Sequence, residues 1–154
     1  MAMSSSVDRV PSSAQPLVLV ADDHEDTRIM LRELLTMDGF IVIECEDGAK
    51  ALAEARRTMP DLVLLDGRLP DLDGLDVARA LRSCAEGNGV PIVFVSGDDL
   101  STSQAIAAGC DRALLKPVDP LNLLAIVRHL ARATPRSTAK ARQQDGEDHG
   151  AGNS

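Results

Sequence analysis

Five positions in this 154-residue chain bring together residue types that could do chemistry: the pair Asp22–Asp23, then Asp66, Ser96 and Lys116. Each closes a short apolar run, at residues 17–21, 62–65, 92–95 and 113–115. Runs of this length without polar alternation read as strands covered on both faces. In an open parallel sheet the carboxyl ends of the strands share one edge, and ligands bind in the crevice there. Three carboxylates, a hydroxyl and an ammonium would therefore converge from distant parts of the chain. Hard oxygen donors hold a divalent cation. A compact ammonium and a hydroxyl hold phosphoryl oxygens.

The segments between these runs must place them side by side. Strand and helix signals alternate five times between residues 16 and 133. Residues 25–38 put Met30, Leu31, Leu34 and Leu35 on one helical face. Gly39 suits the position after that helix. A short strand follows at 40–43. The next helix has a narrow face of Ala49, Leu52 and Ala53 and is stopped by Pro60. The central strand spans 62–66. A third helix carries Leu75, Ala78 and Leu81 and stops near 87–89. A fourth strand at 91–96 leads to a short helix of low amphipathicity at 100–109, and a fifth strand spans 113–116. The last helix covers 120–132, with Pro120 in its first turn and Asp119 as its N-cap. This alternation calls for an α/β fold: a five-stranded, doubly wound parallel sheet with right-handed crossovers and helices on both faces. The segments 1–15 and 134–154 are polar or Ser/Pro-rich, and both are expected to be disordered tails around one domain at 16–133.

Composition narrows the function classes. A 44% apolar and 26% charged chain is ordinary for a soluble domain. No apolar stretch approaches the roughly 18 residues needed to cross a bilayer. Residues 1–15 lack the basic start and apolar stretch of a signal peptide, so a cytoplasmic location is expected. Cys45, Cys84 and Cys110 are odd in number and widely spaced, which argues against zinc or a disulfide framework. The net charge of −8 lies in the middle of the chain, because the charges of each tail cancel. Without a Lys/Arg stripe, direct nucleic-acid binding is not expected. A cation site and soluble protein partners are.

The motifs LVLVADD at 17–23, LVLLDGRLPDLDG at 62–74, IVFVSG at 92–97 and LLKP at 114–117 occur in this order at the strand ends. With them the chain resembles the CheY-like receiver domain of response regulators in two-component signalling. The resemblance covers about residues 16–133. It implies a flavodoxin-like (β/α)5 fold with strand order 2-1-3-4-5. It also implies that Asp66 is a phosphoacceptor, charged by a histidine kinase or a histidine phosphotransfer protein. The metal, Mg²⁺ or Mn²⁺, would be held by Asp23, Asp22, Asp66 and the backbone carbonyl of Arg68. Ser96 would hydrogen-bond the phosphoryl group and Lys116 would pair with it. A cis Lys116–Pro117 peptide is implied as well.

Phosphoryl transfer needs alignment and charge neutralisation more than covalent chemistry by the protein. On this reading the protein is a signalling domain and not an enzyme, with at most self-phosphorylation from small donors and autodephosphorylation. Output would pass through a downstream protein target, and no DNA-binding effector is expected within these 154 residues. The family usually has an aromatic residue at the position of Ala113, so the usual coupling of hydroxyl and aromatic cannot operate in its common form. Arg68 and Asp98 are expected to pair across the mouth of the site. The last helix is apolar on more than one side, at Leu121, Leu124, Ile126, Val127 and Leu130, which fits either a wide core-facing stripe or a partner or homodimer surface. No catalytic role falls to His24, His129 or His149.

Other readings stay open at this level. Asp22–Asp23 could simply cap the next helix. The domain could be the receiver of a hybrid sensor kinase, or a receiver-fold interaction module that is never phosphorylated. A Mg²⁺-dependent phosphatase of the haloacid-dehalogenase type would need a strand followed by DxDGT. The segment at 71–75 follows Pro70 and lacks the Thr, so it fits poorly.

Overall fold

Leu17–Ala21 (β1) and Leu62–Asp66 (β3) are buried along their whole length. Both are unbroken apolar runs up to the site because helices cover both of their faces. Val18, Val20, Leu62 and Leu64 point to one layer, with Leu31, Leu35, Phe40 and Val127. Leu19, Ala21, Val63 and Leu65 point to the other, with Ala51, Ala55, Val77 and Leu81.

The computed structural model describes residues 15–84 and 89–133. The readings for 1–14, for 134–154 and for the helix stop at 87–88 lie outside the described residues. The remaining elements are α1 (Glu25–Met37), β2 (Ile41–Cys45), α2 (Gly48–Thr58), α3 (Gly74–Ser83), β4 (Ile92–Ser96), α4 (Asp99–Ala107), β5 (Arg112–Leu115) and α5 (Pro120–Ala133). The strands pair in parallel in the order β2-β1-β3-β4-β5. No helix among the described residues is long and apolar enough to cross a membrane.

Departures from the sequence reading fall at the edges of the sheet. β2 runs from Ile41 to Cys45 and not over 40–43, because it pairs with β1 from Leu17↔Ile41 to Ala21↔Cys45. Phe40 drops out of the strand into the core, at 2% exposure, and its N–H closes the end of α1 on the Leu35 carbonyl. Glu44 is tolerated in the ladder because β2 is an edge strand, and the carboxylate pairs with Arg28 and Arg32 of α1. On α5 the structure puts Leu123, Leu124, Ile126 and Val127 in the core and leaves Leu121 exposed. Four of the apolar residues of that helix thus form a core-facing stripe.

The helices begin at the carboxyl edge of the sheet. Asp47, Asp73 and Asp98 accept from the first-turn N–H groups of α2, α3 and α4, and Asp119 accepts from Asn122 N at 3.1 Å as expected. Each cap satisfies a donor that the helix itself leaves open. These carboxylates add to the negative charge of the same edge.

A receiver-type acidic site at the carboxyl edge

The ends of β1, β3, β4 and β5 bring the expected residues together. Asp66 is 5% exposed at the end of β3, and Lys116, just past β5, reaches its Oδ1 with Nζ at 3.3 Å. The Arg68 N–H donates to the same oxygen at 3.2 Å. Oδ2 of Asp66 is buried without a hydrogen-bond partner. Burial, and then the nearby charge of Asp22, hold the Asp66 carboxyl above its usual pKa against the opposing pull of Lys116 and the Arg68 N–H.

Asp22, 5% exposed, is fixed by its neighbours. Its N–H donates to the Cys45 carbonyl at 3.0 Å, and its carbonyl accepts from Arg28 Nη1 at 2.7 Å. Asp23 beside it is exposed. One donor atom each of Asp22, Asp23, His24 and Asp66 lies within 4.8 Å of every other. Close carboxylates, a raised pKa at Asp66 and an orphaned buried oxygen fit a hard divalent cation, which would offset the repulsion.

Ser96 lies 7% exposed at the end of β4. Its Oγ accepts from the Asp98 N–H at 3.1 Å, and its carbonyl accepts from the Lys116 N–H at 2.8 Å. That second bond ties the hydroxyl and ammonium positions through adjacent strands. The Lys116–Pro117 peptide is cis, as the resemblance implies. The turn after β3 is closed by the Gly74 N–H on the Gly67 carbonyl at 3.0 Å. A Cβ on Gly74 would fall 2.5 Å from the Asp66 carbonyl, so only glycine lets α3 approach the end of β3 this closely.

The expected Arg68–Asp98 pair does not form. The Asp98 carboxylate is taken by the Leu100 N–H and the Ser101 hydroxyl, both at 3.0 Å, and Arg68 is exposed. Cys45 and Cys110 behave as core residues: burial pushes their thiols up to about 11, so both stay protonated at neutral pH. The contacts of two contributors escaped the sequence reading. Arg28, one turn into α1, braces the Asp22 carbonyl and Glu44. His24 stands with Nδ1 at 3.1 Å from oxygens of both Asp22 and Asp23. The adjacency of His24 to the acidic pair points to a place at the rim of the site, but not to these two contacts.

The order 2-1-3-4-5, with an acidic cluster, a hydroxyl and a lysine at one switch-point edge, defines a doubly wound α/β protein with a polar site at the carboxyl ends of its strands. The family model of the response regulator receiver domain matches residues 18–128, and the chain belongs to that family. It is 39% identical over 113 residues to the DNA-binding response regulator MtrA of Mycobacterium tuberculosis, covering 72% of this chain and 48% of MtrA. It is 40% identical over 120 residues to the response regulator MprA of Mycobacterium leprae, covering 76% of this chain and 51% of MprA. The chain thus spans about half the length of the curated relatives it matches. Among solved structures it is similar to the chemotaxis response regulator CheY4 of Vibrio cholerae, at 26% identity and TM-score 0.71, covering 75% of this chain and 98% of that one. It is also similar to the receiver domain of the sensor histidine kinase PA1611 of Pseudomonas aeruginosa, which has a magnesium ion in its active-site cleft. That match has 28% identity and TM-score 0.70 and covers 77% of this chain and 98% of the other.

Proposed function

We propose that this receiver takes a phosphoryl group onto Asp66 from a phosphohistidine of a kinase or phosphotransfer protein, with Mg²⁺ or Mn²⁺ bound, and signals through protein contacts in the cytoplasm. The observation that carries this reading is the meeting of Asp22, Asp23 and Asp66 within one small cluster, with Lys116 at 3.3 Å from Asp66.

The roles follow from the chemistry of each group. Asp66 is the nucleophile: one carboxylate oxygen forms the new P–O bond as the donor's P–N bond breaks and the imidazole leaves. Lys116 pairs with the phosphoryl oxygens, exchanging its contact with Asp66 for one with the incoming charge. Ser96 Oγ has its proton free to donate to a phosphoryl oxygen, because its present bond is one it accepts. Asp22, Asp23, Asp66 and the Arg68 carbonyl would hold the cation, whose charge would let a carboxylate and a phosphoryl group approach each other. The net charge of −8 and the acidic caps favour cations and basic protein surfaces over nucleic acid.

The test is incubation with acetyl phosphate and Mg²⁺, followed by intact-mass analysis. Wild type is expected to gain one phosphoryl group, and no gain is expected when Mg²⁺ is chelated beforehand or in Asp66→Asn. Labelling that persists in Asp66→Asn would overturn the assignment. No labelling, together with no beryllofluoride binding, would identify an interaction module that keeps the fold without the chemistry. The similarity to the PA1611 receiver favours a second context, the receiver of a hybrid sensor kinase. Transfer from a phosphotransfer protein faster than from any free-standing kinase would support that version.

A further inference from the structure

His24 Nδ1 lies 3.1 Å from Asp22 Oδ1 and 3.1 Å from Asp23 Oδ1, with an Asp66 carboxylate oxygen in the same cluster. The cluster is more than a group of acids, because Asp66 is a buried side chain with an oxygen that lacks a partner. We propose that His24 Nδ1 is a protein ligand of the cation bound there, and that it turns the site from Mg²⁺ toward divalent transition ions that accept imidazole, such as Mn²⁺ and Ni²⁺. This rests on the reading of Asp22, Asp23 and Asp66 as the cation site.

The spacing supports direct ligation. Cis ligands of a six-coordinate ion with bonds near 2.1 Å stand about 3 Å apart. The nitrogen already stands at that separation from two carboxylate oxygens. Its backbone is set for this as well: the His24 N–H donates to Asp22 Oδ1 at 2.8 Å, which holds the residue folded back over the acidic pair. Without an ion, the Nδ1 proton can bridge the two carboxylates. With an ion, the ring enters as the tautomer that carries its proton on Nε2, leaving the Nδ1 lone pair free. The His24 side chain is 66% exposed, so water can serve Nε2. An all-oxygen set suits Mg²⁺, whereas one imidazole among carboxylates raises affinity along the series from Mn²⁺ to Ni²⁺ and does little for Mg²⁺.

The test uses the full chain, freed of metal by chelation and titrated separately with Mg²⁺, Mn²⁺ and Ni²⁺ by calorimetry, with pulsed EPR of the Mn²⁺ form. Wild type is expected to show ¹⁴N coupling to Mn²⁺. His24→Ala is expected to lose that coupling and to bind Ni²⁺ at least about tenfold more weakly, with Mg²⁺ affinity little changed. His129→Ala, on the exposed side of α5, is expected to keep the coupling. Wild-type Mn²⁺ without nitrogen coupling, or unchanged Ni²⁺ affinity in His24→Ala, would overturn the proposal and leave the oxygen site standing. Mg²⁺ affinity unchanged in Asp23→Ala would instead overturn the cation site itself, and His24 ligation with it.

Discussion

At Asp66, Oδ1 accepts from Lys116 and from the Arg68 N–H, while Oδ2 is buried with no donor, and Asp22 stands close by. A folded-state pKa above the ordinary value means that ionising Asp66 costs stability. The cost is absent below the ordinary carboxylate range, where both states are protonated, and is complete once pH exceeds the raised value. Asp66→Asn removes the charge while keeping the shape. In chelator-treated protein at neutral pH it is expected to gain about 1 kcal/mol in urea denaturation. The gain is expected to fade as the solution is acidified. Saturating Mg²⁺ is expected to narrow or reverse the difference, because a cation that binds only the folded carboxylate stabilises wild type. A less stable Asp66→Asn without metal would show that the Lys116 contact outweighs the repulsion.

Among the elements, the end of α1 is fastened to α5 by Asp38. Arg128 donates to both of its carboxylate oxygens at 2.6 and 2.8 Å, Arg132 Nη2 reaches its carbonyl, and Arg132 lies 4.9 Å over the Phe40 ring. The Arg128 hydrogen bonds hold the Asp38 carboxyl below its usual range. A lowered pKa gives a contribution present at neutral pH and lost as pH falls through the lowered value. Asp38→Asn is therefore expected to lower the urea midpoint slightly at pH 7 and to match wild type in strong acid; the arginines are half-exposed, so the effect is small. A second pairing explains Ala113. It lies opposite Phe94 in the β4–β5 register, and Phe94 is fully buried in the same layer. A large side chain at position 113 would stand next to a ring that β4 already supplies. Ala113→Tyr is expected to cost about 1–3 kcal/mol by overpacking. Adding Phe94→Leu is expected to recover part of that loss, and strict additivity of the two changes would show that they do not share space.

For the whole molecule, legibility followed burial. β1 and β3 could be delimited from the sequence because both faces are covered and the apolar run ends where the site begins. β2 and β5 lie at the sheet edges with half-exposed residues, so their ends shifted. The acidic, hydroxyl and lysine positions were legible because each terminates a strand, and one sheet edge must collect them. His24 and Arg28 were not, because their contacts depend on how α1 starts over that edge. The same architecture indicates how occupancy could be felt at a distance without an aromatic at 113. Ser96 Oγ accepts from the Asp98 N–H, and Asp98 in turn caps α4 through Leu100 N and Ser101 Oγ. If a phosphoryl group drew the Ser96 hydroxyl toward Lys116, Oγ would move away from the Asp98 N–H and the first turn of α4, a helix with a single buried residue, Ala105, would loosen. Beryllofluoride with Mg²⁺ is thus expected to shift the backbone NMR signals of residues 97–101 more than those of β5. In Ser96→Ala the site is expected to bind the same probe while the shifts across α4 shrink severalfold. Equal α4 shifts in Ser96→Ala would mean that the signal leaves the site by another route, through Lys116 and the start of α5.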